Sequence, residues 1–189
     1  MLTFAQCKIP IIGGTVRIDT DTVTMGTIRI GFSENRGFDN KTSKVVWHNE
    51  GSVIFKGKCT IGNGVRIAVS RNSLLEVEDS VVFSGNSQII CGSEIKIGNG
   101  CLIGWDVMLL DYDAHSIIVG GKRTNIRKGI TLGSKVWIGA GSSILKGVHI
   151  EDGIVIAACS NVTKDCSKKN SIYAGNPATI IKENISWQG

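Results

Sequence analysis

The sequence predicts an all-β fold, a parallel β-helix in which short strands wind into a column. Three observations lead there. An aliphatic residue recurs every six positions from Leu132 to Val162, and the fifth place of each of those units is small or β-branched. Glycine is frequent, at 24 of 189 residues, while proline is scarce at 2. A period of six fits neither an amphipathic helix nor a simple hairpin strand. It suits a short extended segment and a sharp turn, repeated so that each new face stacks on an earlier one.

In chain order, residues 1–60 read as irregular opening turns, with TVRI, TIRI and SVIF as their strands. Weak end units are expected of a solenoid, because a terminal repeat has only one neighbour. Coils are predicted over about 61–167. IGNGVR and IAVSRN begin at Ile61 and Ile67, and IGNGCL and IGWDVM begin at Ile97 and Ile103. The stretch between them, LLEVEDSVVFSGNSQIICGSEI, keeps the aliphatic spacing with fewer glycines. From Leu132 six units follow in phase: LGSKVW, IGAGSS, ILKGVH, IEDGIV, IAACSN and VTKDCS. The first residue of each is expected to point inward. The fifth (Val136, Ser142, Val148, Ile154, Ser160, Cys166) must be small where the chain bends, and glycine tolerates the turn angles. A short C-terminal segment, 168–189, closes a single domain spanning 1–189.

These units resemble the hexapeptide-repeat transferases, over about Ile61 to Lys182. The resemblance implies a single-stranded left-handed parallel β-helix, a triangular prism with three hexapeptides per turn. The left hand comes from the resemblance alone, since the usual crossover rule favours the opposite.

Composition excludes several other classes. The net charge of +5 is mild, and no basic run or aromatic-interleaved stripe points to nucleic acid. Nothing approaches 18 apolar residues in a row, and the start lacks a signal-peptide pattern, so no membrane insertion and a cytoplasmic location are expected. Six cysteines form no C-x-x-C pair and read as buried fillers rather than disulfides. GAGSSI lacks the last glycine of a dinucleotide fingerprint, and no P-loop is present. A zinc site of the γ-type carbonic anhydrase kind needs three converging imidazoles. His48, His115 and His149 lack such a spacing, so no metal is expected.

Loops leaving a rigid scaffold carry chemistry, and the clearest interruption runs from 111 to 129, DYDAHSIIVGGKRTNIRKG. It holds His115 between acidic neighbours, whereas His48 and His149 read as packing or surface residues. An alcohol attacks a thioester poorly until its proton is removed, and a positioned imidazole can accept that proton near neutrality. Asp111 or Asp113 could orient the ring, bind substrate hydroxyls or be solvated loop acids. Ser84 and Asn86 are candidate acceptor contacts, and the polar loop 31–44 either reaches towards the substrate opening or is simply mobile.

At this point the chain looks like the galactoside, maltose and capsular-polysaccharide O-acetyltransferases, whose catalytic histidine matches His115. The segment VWIGAGSSILKGVHIEDGIVIAACSNVTKD, followed by SIYAGNPATIIK, resembles their acetyl-CoA-binding end. The resemblance places Trp137 and Ala140 beside the thioester, Ala158, Thr163 and Lys164 along the pantetheine arm and nucleotide, and Lys182 towards the CoA phosphate. It also implies a homotrimer with sites between neighbouring prisms, acetyl-CoA as co-substrate and a saccharide acceptor. Three departures stand out. Ala140 replaces a serine found in some relatives, Cys159 replaces a common glycine, and Thr179 stands where a basic residue often follows the Gly-x-Pro-x turn. The expected activity is O-acetylation of a sugar in a bacterial surface polysaccharide or its precursor, by direct transfer. N-acetylation of a nucleotide-linked amino sugar and a non-catalytic structural β-helix are the alternatives.

Overall fold

The computed structural model describes residues 2–4, 7–32 and 43–188. Its strands build three parallel sheets, the faces of a prism, here called A, B and C. Each coil passes through them in that order. One coil, for example, takes Val81–Phe83 on face A, Gln88–Cys91 on face B and Glu94–Ile97 on face C. The next takes Leu102–Ile103, Met108–Leu110 and, beyond the loop, Ile130–Leu132. Among the described residues no helix occurs.

The hexapeptide period becomes vertical register. On face A, Ile61 pairs with Phe83, Phe83 with Ile103, Ile103 with Ile138 and Ile138 with Ile156. On face B the column is Ile67, Ile89, Leu109, Ile144, Val162. On face C it is Phe55, Val77, Ile97, Leu132, Ile150. All of these side chains are buried, as are all six fifth-place residues from Val136 to Cys166. Inward aliphatics thus stack on their equivalents one strand spacing away, and the β-branched ones among them suit the half-buried pleat.

The corners are as confined as the core. A Cβ added to Gly139 would lie 2.6 Å from the backbone nitrogen of Ala158 in the next coil, so that corner closes only around glycine. Cys59, Cys91, Cys101 and Cys166 are buried, and burial pushes the Cys91 and Cys166 thiols up to about 12. Cys159 departs from the filler expectation. It is exposed at the A–B corner with a left-handed φ of 58°. Its position, not its polarity, sets its exposure.

The opening residues are more regular than their sequence suggests. Thr15–Ile18 already pairs in parallel with Ser52–Phe55, and Ile28–Ile30 with Cys59–Ile61, so the prism begins well before Ile61. The pattern is hidden because the register shifts between Lys8 and Ile11, and because a long connection separates Ile30 from Val45 at the A–B corner. Most of the predicted loop 31–44 lies outside the described residues. At the other end Ala178–Lys182 folds back antiparallel on Ile172–Gly175 and ends face A.

Truncating one column residue removes contacts above and below it at once. Ile103→Ala is expected to lower unfolding free energy by about 2–5 kcal/mol, against under roughly 0.5 for exposed Val119→Ala, as measured by chemical denaturation.

Candidate active site

Residues 111–129 leave face B after Leu110 and rejoin face C at Ile130. The segment is fastened at its root. Asp111 is fully buried, and its carboxylate accepts the Gly92 N–H at 2.6 Å and the Ser93 N–H at 2.8 Å. Arg127 donates to the Gly92 carbonyl at 2.6 Å and lies over the Tyr112 ring. Gly147 N–H reaches the Lys128 and Gly129 carbonyls of the returning strand. Beyond the root, Ile118–Val119 and Lys122–Arg123 form an antiparallel hairpin that turns through Gly120 and Gly121, both with positive φ. The hairpin and its flanks present Ile117, Ile118, Val119 and Ile126 to solvent.

Asn125 organises the part that carries the histidine. It is buried, donates to the His115 carbonyl at 2.6 Å and to Asp113 Oδ2 at 2.8 Å, and accepts the Ile117 N–H at 2.6 Å. Lys146, from the next coil, donates to the same Asp113 oxygen. These two donors, Lys146 first, hold the Asp113 carboxyl below the usual carboxylate range. His115 is therefore fixed by its backbone, with its ring exposed. The bonds of both carboxylates go to the coil and the loop rather than to the imidazole. Asp111 and Asp113 shape the loop from which His115 projects.

The predicted donor and acceptor residues fall on two corners. Ser84, Asn86, Ala140 and Ala158 lie on the A–B corner, with the 104–107 turn of one further coil between Asn86 and Ala140, and Trp137 stands on face A three residues before Ala140. Trp105 stands exposed on this corner in the coil between Asn86 and Ala140, whereas the side chains beyond it are small, and the N–H groups of Ala140 and Ala158 take no backbone partner among the described residues. Asn86 has a φ of 61°, a conformation asparagine tolerates better than most residues, which gives it a local reason to be there. His115, Thr163 and Lys164 share the B–C corner, the lysine two coils beyond the loop, and all three are exposed. Lys182 lies at the end of the closing strand on face A. Within one chain, then, the histidine and the small-residue column stand on opposite edges of face B. Sequence reasoning missed Asn125, Lys146 and Arg127. Lys146 lies inside the ILKGVH unit and Asn125 and Arg127 inside the 111–129 interruption, but neither pattern pairs them, and only the folded loop brings them to Asp113, His115 and Gly92. His48 and His149 lie beside Glu50 and Glu151, half-buried and away from this loop. No group of three metal-ligating side chains converges among the described residues, and no helix there is long and apolar enough to cross a membrane.

No family model matches the sequence. Over 134 residues the chain is 39% identical to the polysialic acid O-acetyltransferase of Escherichia coli O1:K1 / APEC, an alignment covering 70% of this chain and 41% of that protein. This chain therefore spans less than half of that relative's length. The crystallographically analysed polysialic acid O-acetyltransferase OatWY superposes with a TM-score of 0.64 at 26% identity, covering 93% of this chain and 92% of that one. A hexapeptide-repeat-containing acetyltransferase from Vibrio cholerae gives a TM-score of 0.50 at 25% identity, over 69% and 70% of the two chains.

Two outcomes follow from the loop's wiring. Asn125→Ala should speed amide exchange at Ile117 by about fivefold, the loss of one hydrogen bond of roughly 1 kcal/mol, while the melting temperature moves little. Because the Asp113 pKa is depressed on folding, its contribution is present above the unfolded value and lost as pH falls through the folded one. Exchange protection of the loop should then persist at about pH 5 and fade only below roughly pH 4.

Proposed function

We propose that this chain, which belongs to the hexapeptide-repeat, left-handed β-helix acyltransferase family, transfers an acetyl group from acetyl-CoA to a hydroxyl of a bacterial surface polysaccharide. The observation that carries this reading is the division of the site between the two edges of face B. One edge holds an exposed histidine on a fixed loop, and the other holds the small-residue corner of Ala140 and Ala158, with Trp137 on face A three residues before Ala140.

Between those edges, face B turns Ile90, Leu110 and Leu145 outward in one register column, all half-buried. Face C by contrast presents Glu76 and Lys96 at paired positions. An apolar face flanked by two half-sites suits a three-fold arrangement with face B towards the axis. Each B–C corner then meets the A–B corner of a neighbouring copy. We read the protein as a homotrimer on this ground.

The A–B corner suits the donor. The small side chains beyond Trp105 admit a narrow pantetheine arm against the backbone, and the Ala140 and Ala158 N–H groups can donate to that arm or to the thioester oxygen. Lys164 and Thr163, carried on the B–C corner of the neighbouring copy, and Lys182 on face A are exposed positions for the CoA phosphates. Acetyl-CoA supplies the activated acyl group. His115 accepts the proton of the attacking hydroxyl as the C–O bond forms and the C–S bond breaks, then returns it to the leaving thiolate. The acceptor lies between the histidine and the corner bearing Ser84 and Asn86. Polysialic acid is the first acceptor to try, because relatives named for it align with this chain. The cytoplasm, with its reduced thiols and acetyl-CoA, is the compartment this chemistry suits.

Thiol release from acetyl-CoA in the presence of polysialic acid oligomers tests the reading. Wild type should turn over, and His115→Ala should fall by at least about a hundredfold while still binding CoA in calorimetry. Ala140→Trp, which fills the corner, should also be inactive. Co-refolding the two inactive variants should regenerate roughly one productive site in four if each site draws on two copies. Recovery of no activity would mean that the site lies within one chain.

A further inference from the structure

We propose that Trp187 is a positioning residue for the donor site: its indole braces Trp137 from the C–A corner and fixes that ring beside the Ala140–Ala158 corner. This rests on the reading of the A–B corner as the acyl-donor site.

Trp137 faces outward on face A, in register with Leu102 below and Val155 above. It stands 39% exposed, although the core residues on either side of it, Val136 and Ile138, are fully buried. An exposed indole on one strand has several open rotamers. Here one side of it is occupied. The Trp187 ring lies 5.9 Å from it, centroid to centroid, at an interplanar angle of 48°, a tilted aromatic pair. Trp187 is itself anchored, since its Nε1–H donates to the Lys135 carbonyl at 2.9 Å.

The chain that delivers Trp187 is pinned along the C–A corner. Glu183 pairs with Lys168 at 3.2 Å, and the Ile185 N–H donates to the Asn170 carbonyl at 2.9 Å. Ordering this run of residues opposes conformational entropy. Its contacts are not those of a core lid, because the residues beneath Trp137 are already sealed by the prism. The aromatic partner it reaches is Trp137. Lys135 precedes Trp137 by two residues on the C–A side, whereas Ala140 follows by three on the A–B side. The brace therefore holds one side of the ring and leaves the side towards the donor corner open.

Trp187→Ala and Trp187→Phe separate this role from a structural one. With acetyl-CoA varied, Trp187→Ala should raise KM and the CoA dissociation constant by about twofold to tenfold, the worth of one aromatic pair, with kcat within about twofold of wild type. Trp187→Phe should recover most of the loss, and the melting temperatures should agree closely. Unchanged donor affinity in Trp187→Ala, when wild type binds CoA, overturns the bracing role alone. Tighter binding also overturns it, because Trp187 would then cover the site. A wild type that binds no CoA overturns the donor-site reading and the brace together.

Discussion

Coil-on-coil register is the constraint on which the rest of the molecule depends. Ile138 lies between Ile103 and Ile156, and Leu109 lies between Ile89 and Ile144. Each inward side chain is packed above and below by its own equivalents, so the hydrophobic effect acts along a continuous column rather than at a central cluster. The same register supplies the backbone hydrogen bonds, since every internal strand pairs with the coil before and the coil after. A corner one residue too long or one Cβ too wide would shift all of this together, which is why Gly139 approaches Ala158 so closely.

A stacked column tolerates an excursion provided that both ends return to their places. The 111–129 segment does so with local devices. Asp111 supplies to the Gly92 and Ser93 amides the acceptors that a continuing strand would have offered, and Gly147 bonds the returning chain. A buried carboxylate is costly unless its lone pairs are satisfied, and here two short bonds satisfy them. Asn125 then holds the chain at 113, 115 and 117 through one side chain. The rigid prism and this small polar hub together place His115 through its backbone.

Face chemistry divides the surface. Face C carries compensated charge, with Lys56 against both Glu76 and Glu78, and suits solvent. Face B carries Ile90, Leu110 and Leu145 between the corner that bears the His115 loop and the corner that bears Ala140 and Ala158. The tryptophan pair at 137 and 187 adds a third feature, a packed aromatic contact outside the core. Packing, polarity and site geometry thus converge on the corners, where the chain turns and side chains are not consumed by the column.

Much of the fold was legible in the sequence because a six-residue period has one structural meaning. Leu132, Ile138, Ile144, Ile150, Ile156 and Val162 are all buried where the period puts them, and Ser142 and Ser160 are buried at the bends. The interruption at 111–129 was legible for the same reason, since a gap is visible against a regular background. The regular opening coils were not, because the long connection before Val45 and the shift near Lys8 break the period that marks them. Nor were the partners of Asp111 and Asp113, nor the reach of Trp187 back to Lys135. Periodicity is a property of neighbours in the chain, whereas those contacts join residues that only stacking and loop closure bring within hydrogen-bonding distance. The sequence by itself determined the column and the place where it breaks. Tertiary structure alone decided which polar side chains hold the broken piece still, and on which edges of the prism His115 and the Ala140–Ala158 corner stand.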